Sequence, residues 1–117
     1  MLPEDRDAAY LWDMIQAAKE VEDMIENHDL ASFLADRVLL RALERGVEII
    51  GESAKHISSV FMEAHPEIPW RQIIGQRNII AHEYGQIDHE LLFNTVTNDV
   101  PVLITMLNQL LPPLEED

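Results

Sequence analysis

Apolar residues recur at spacings of three and four along almost the whole chain, a period that a helix can place on one side and a strand cannot. From Ala8 to about Glu26, the residues Leu11, Ile15, Ala18, Val21, Met24 and Ile25 lay such a stripe down a first helix. Asn27-His28-Asp29-Leu30-Ala31-Ser32 breaks the pattern with turn and cap residues, predicting a loop that ends near Ser32 or a little later. A long second helix follows from about Asp36 to Glu63, through Val38, Leu39, Ala42, Leu43, Val47, Ile50, Ala54, Ile57, Val60 and Phe61. Gly46 and Gly51 interrupt it; each costs about 1 kcal/mol relative to Ala, so a neighbouring helix pressed close or a bend is the expected reason for them. His65-Pro66-Glu67-Ile68-Pro69-Trp70 stops that helix and starts a third, for which Pro69 suits the first position. The third reaches Tyr84 and closes at Gly85, and Asp88 caps a fourth that runs to Leu111 with a kink at Pro101. The tail from Pro112 to Asp117 is polar enough to fray. The expected fold class is all-α, an up-down bundle of four to five helices forming one domain over residues 1–117.

A chain of 117 residues carries one core but leaves much of it near the surface, so association with a second copy is expected. No apolar stretch approaches the roughly 18 to 20 residues of a membrane span, and the acidic run from Met1 to Asp7 is unlike a signal peptide, which predicts a cytoplasmic location. Cysteine is absent, which excludes disulfides and thiolate zinc sites. The net charge of −14 argues against broad nucleic-acid binding through phosphate neutralisation. One local exception stands out: Arg37, Arg41 and Arg45 follow each other at four-residue intervals and form a single ridge on a helix. Its plain reading is pairing with Glu44, Glu48 and Glu52 along the same helix.

The third helix carries the main anomaly. With about 100° per residue and Arg77 set at zero, Trp70, Ile73, Ile74, Ile80, Ala81 and Tyr84 all fall within about 60° of it. An arginine in the middle of an apolar stripe cannot shed its charge, so it demands a buried acid, an anionic ligand or an open cleft. Asn78 and His82, four residues apart, form a second ridge beside the stripe.

The segment Arg77-Asn78-Ile79-Ile80-Ala81-His82-Glu83-Tyr84 resembles the motif of HepT-type HEPN ribonucleases, in which arginine, four residues, histidine, one residue and tyrosine follow in order. Glu48-Ile49-Ile50-Gly51-Glu52-Ser53 resembles the glycine-glutamate segment of that family's preceding long helix. Pro66-Glu67-Ile68-Pro69-Trp70 resembles its proline-tryptophan lead into the motif helix, and Arg6 with Tyr10-Leu11 fits its opening. The resemblance implies a HEPN-like fold and a metal-independent endoribonuclease toxin that acts on RNA without a cofactor, as a homodimer whose clefts lie at or near the dimer interface. It also implies an antitoxin partner, a minimal nucleotidyltransferase of the MntA type, that silences the toxin by adding AMP to the motif tyrosine. Transfer RNA or messenger RNA would be the target, and no DNA partner is expected. Carried over by position, the catalytic pair is Arg77 and His82, Asn78 is the polar residue after the arginine, and Tyr84 is the AMPylated tyrosine. The spacer Ile79-Ile80-Ala81 departs from family members that carry a basic residue there.

Chemically, RNA brings its own nucleophile in the 2′-hydroxyl, so cleavage needs a base, an acid for the leaving 5′-oxygen and charge stabilisation at phosphorus. Histidine exchanges protons near neutrality and arginine offers a donor fork matched to phosphate. On the wheel, however, Arg77 and His82 lie about 140° apart, so one straight helix face cannot present both. Either the long arginine reaches around, or a second protomer completes the cleft. Water or the partner's histidine would supply the second proton-transfer role. Glu52 either orients Arg77 as a buried counter-charge or pairs with Arg45, seven residues before it. His82-Glu83-Tyr84-Gly85-Gln86 is not a His-Glu-x-x-His zinc arrangement, and His28, His56, His65 and His89 have no motif around them. Trp70 and Met14 read as core. The rival reading is a non-catalytic helical adaptor that binds a nucleotidyltransferase and presents its substrate.

Overall fold

A computed structural model describes the backbone of residues 3–80 and 88–111 and the side chains of residues 6–75 and 88–111. Gly85 and the tail from Pro112 to Asp117, with the roles expected of them above, lie outside the described residues. Among those described there is no strand. The elements are α1 (Pro3–Ile25), α2 (Leu30–Ala35), α3 (Arg37–Lys55), α4 (Ser59–Ala64), α5 (Trp70–Ile80), α6 (His89–Asn94), a π-helical stretch (Thr95–Asp99) and α7 (Val100–Leu110). Four long rods, α1, α3, α5 and the run from α6 to α7, form the all-α bundle, with α2 and α4 as short connectors.

The stripe on α1 is buried as its period requires: Leu11, Met14, Ile15, Ala18, Val21 and Ile25 all lie in the core, although the helix begins earlier than expected, at Pro3. They meet Leu43, Val47, Ile50 and Ala54 of α3 and Leu103, Ile104 and Leu107 of α7 in one cluster. At Gly46, α1 and α3 are pressed close together. A Cβ built there would overlap Val21 Cγ1, so only glycine lets the two backbones approach this far.

Two stretches differ from expectation. The predicted loop over residues 27–32 shrinks to a turn at Asn27, which takes a left-handed φ of 68°, and α2 begins at Leu30. Asp29 makes this possible: its side chain accepts from the Ser32 N–H while Ser32 Oγ accepts from the Asp29 N–H, a capping box that starts a helix early. Phe33 on this short helix is fully buried, its ring tilted against that of Phe93 of α6 with centroids 5.5 Å apart.

The expected long second helix is instead two. It breaks at His56–Ser58 because the buried carboxylate of Asp7 takes the Ser58 N–H at 2.8 Å and the Ser58 hydroxyl at 2.7 Å. The Ser58 Oγ in turn accepts from the Phe61 N–H and caps α4. Helical period alone carried the expected stripe through this break; Val38, at 81% exposure, and Val60, at 77%, are on the wrong side to be core.

From His89 to Leu110 the run is helical throughout, capped as expected by Asp88, whose Oδ1 accepts from the Leu91 N–H, and ending one residue short of Leu111. Its interruption takes the form of the π-helical turn ahead of Pro101, in which the Val100 N–H reaches back five residues to the Thr95 carbonyl. Proline has no N–H and its ring crowds the carbonyl four residues earlier, here that of Thr97, so an extra residue in the preceding turn relieves the conflict.

Candidate active site

Local chemistry sets the start of α5. The Trp70 N–H donates to the Ile68 carbonyl at 2.8 Å, the Trp70 indole N–H donates to the His65 carbonyl at 3.0 Å, and the Pro69 carbonyl accepts the first helical bond from the Ile73 N–H. Trp70 is thereby anchored in the core, edge-on to Phe61. Ile73 and Ile74 are half-buried against the same core, while Arg71 and Gln72 face solvent. The first half of the expected stripe is therefore the face that packs on α3. Position 77 lies three and four residues beyond Ile74 and Ile73, on the continuation of that face, and position 78 follows it in the same helix.

The side chains of Arg77 and Asn78 lie outside the described residues, and so do His82 and Tyr84 entirely. Glu52 is described: it is half-buried on α3, the helix against which α5 rests. Arg45, offered above as its alternative partner, pairs with Glu48 at 2.9 Å instead, on an exposed surface where such a bond contributes little.

The segment 81–87 is bracketed by described structure. The first residue of α6, His89, brings its Nε2 to 3.5 Å from Glu44 Oε2 on α3, and α6 packs on α2, α3 and α5. The described helices on either side of it, α5 and α6, both pack on α3.

Each of the four described histidines has a structural contact. His28 Nδ1 meets the Ser32 hydroxyl at 3.0 Å, and His56 stacks on Tyr10 with ring centroids 5.0 Å apart. His65 lies against Phe61 and within 3.3 Å of Glu67, and His89 meets Glu44. Among the described residues no cluster of His, Asp and Glu has the proximity to hold a metal ion, and no helix is long and apolar enough to cross a membrane.

Sequence reasoning missed a cleft of about 710 Å³ between α3, α5 and the α7 rod. Its walls are chiefly apolar, from Val47 and Ile50 on one side to Leu103 and Met106 on the other, with Arg71, Gln72, Thr95 and Asp99 at the polar positions. Gly75 of α5 opens onto it, and a Cβ there would meet nothing within 4 Å. Pro101 was the available signal, since the π turn it imposes places Thr95 and Asp99 on the cleft wall.

A family model described as "Ribonuclease HepT-like" matches residues 14–110, from the first helix through the motif to the end of α7. The chain belongs to the ribonuclease HepT-like family. Among curated relatives it is 37% identical, over 80% of its length and 85% of theirs, to the protein of Methanocaldococcus jannaschii named "Putative RNase MJ1380". It is likewise 37% identical, over 80% of its own length and 86% of the relative's, to "Probable ribonuclease HepT" of Thermococcus cleftensis. A third, "Putative RNase TTE0752" of Caldanaerobacter subterraneus, shares 30% identity over 87% of this chain and 91% of that one. No solved structure matches. HepT-like membership accounts for the order of the glycine-glutamate, proline-tryptophan and arginine-histidine-tyrosine segments, and it makes the chain a ribonuclease.

Proposed function

We propose that residues 1–117 form one catalytic domain, a metal-independent endoribonuclease toxin whose catalytic pair is Arg77 and His82. The observation that carries this reading is the motif from Arg77 to Tyr84 inside a family match that spans nearly the whole chain. The occupation of the other four histidines by structural contacts supports the choice of His82.

In this reading His82 takes the proton from the ribose 2′-hydroxyl, the 2′-oxygen attacks phosphorus, and the P–O5′ bond breaks. The leaving 5′-oxygen takes a proton from water or from the partner's histidine, leaving a 2′,3′-cyclic phosphate and a 5′-hydroxyl. Arg77 clamps the non-bridging oxygens as charge builds at phosphorus. Asn78 supports the same phosphate, and Glu52, on the helix under α5, orients the guanidinium. A homodimer completes the cleft. Neutralisation comes from an MntA-like nucleotidyltransferase antitoxin: the Tyr84 hydroxyl attacks the α-phosphorus of ATP, pyrophosphate leaves, and the new phosphate competes with RNA for Arg77.

Cytoplasmic expression of the chain alone is expected to arrest growth and leave RNA fragments with 2′,3′-cyclic phosphate ends, while Arg77→Ala and His82→Ala abolish both effects. Retained cleavage in both variants refutes the assignment, and a wild-type chain that leaves growth and RNA intact points to the adaptor reading.

A further inference from the structure

Most of the cations of this acidic chain are scattered, but three of its 8 lysines and arginines stand in a row on α3. Arg37, Arg41 and Arg45 repeat every four residues, about 6 Å along the helix axis, on one ridge. Like charges at this spacing repel one another and weaken a helix. Relief by acids is partial: Glu48 takes Arg45, Glu44 is turned to His89, and Asp36 spends its carboxylate on the Leu39 N–H. Arg37 and Arg41 are exposed and have no ion pair among the described residues. Val38, between them, is 81% exposed. Despite 22 acidic residues in the chain, two guanidiniums without an ion pair among the described residues and an exposed apolar side chain share one surface.

The location gives the surface its meaning. Arg41 is one turn before Glu44, and Glu44 meets His89, the residue that opens α6 directly after the segment carrying His82 and Tyr84. We infer that Arg37 and Arg41 form a phosphate rail for single-stranded RNA, holding the strand where it leaves the catalytic segment; this rests on the ribonuclease reading. Guanidiniums suit the task because they grip phosphate bidentately and stack on unpaired bases, while Val38 supplies an apolar contact for a sugar or base. The rail also reconciles RNA binding with a net charge of −14: affinity comes from two well-placed cations, and the acidic remainder rejects strands in other registers.

The test compares Arg37→Ala/Arg41→Ala with Lys19→Ala/Lys55→Ala, which removes the same charge from exposed positions elsewhere. Binding of an unstructured, mixed-sequence, labelled RNA is measured by anisotropy across a salt series in a His82→Ala background, and cleavage of total cellular RNA is scored separately with His82 intact. The ridge pair is expected to weaken binding about tenfold at low salt, to flatten the slope of log affinity against log salt by about 1.4, and to raise KM; the lysine pair is expected to do none of these. If wild type cleaves RNA while the ridge pair binds and cleaves like the lysine pair, the rail is refuted and the ribonuclease reading stands. A ridge pair that changes only the oligomeric state refutes it in favour of a protein contact. A wild type that neither binds nor cleaves RNA overturns both.

Discussion

Replacing Gly46 with alanine sets two opposed effects against each other. Intrinsic propensity alone says that alanine in the interior of α3 stabilises the helix by about 1 kcal/mol. Packing says the reverse, because the new methyl would fall on Val21 Cγ1 of α1. Val21 is fully buried and β-branched, so it cannot swing aside into solvent and has few rotamers to choose from. Overpacking of a filled core costs about 1 to 3 kcal/mol, and the degree of overlap puts this site at the upper end. The expected net loss is about 2 kcal/mol, or about 8 °C in Tm for a chain of this size. Thermal unfolding followed by circular dichroism, at one fixed protein concentration, reads it. A cycle isolates the cause: Val21→Ala alone should destabilise by leaving a cavity, yet in the Gly46→Ala background it should cost much less, with a coupling of about 1 kcal/mol or more. A rise in Tm for Gly46→Ala, or strict additivity in the cycle, would refute the close-approach account of this glycine.

Gly75→Ala provides the contrast, since its Cβ meets nothing within 4 Å: Tm should rise by several degrees, and a simultaneous loss of cleavage would show that something docks on this cleft wall. Asp7→Ala removes both bonds to Ser58 and leaves a partly buried N–H unpaired; denaturant unfolding should show a loss of about 1 to 3 kcal/mol. The bond from the Ser32 N–H holds the Asp29 carboxyl below its ordinary range, so its contribution is present above that range and is lost as pH falls through the depressed value; α2 should loosen in acid, and Asp29→Ala should remove that step from a stability-versus-pH curve. Tyr84→Phe should keep ribonuclease activity but resist neutralisation by the nucleotidyltransferase, read as growth arrest that co-expression does not relieve.

How much could be read in the sequence depends on whether one element's period was enough to decide the outcome. The stripe on α1, the cap at Asp88, the core roles of Trp70 and Met14 and the packing face of α5 all follow from spacing within a single helix, because a period of 3.6 residues leaves one side free to be buried. The proposed site was read in another way, as an arginine misplaced on an apolar stripe with the family's flanking segments in order around it. What spacing could not supply was anything held by a distant partner. Period carried the second helix straight through residues 56–58, and only the Asp7 carboxylate, 51 residues away, breaks it there. Spacing offered Glu44, Glu48 and Glu52 to the arginine ridge, and only His89, brought in from α6, draws Glu44 away. Val38 is apolar but is exposed because α3 turns the face of Leu39, Leu43 and Val47, and not that of Val38, toward the bundle. Local periodicity determined which residues form helices and which of their faces are greasy. The tertiary structure decided where those helices break, which cations keep a partner, and which faces meet, because those outcomes depend on groups that are neighbours in space and not in sequence.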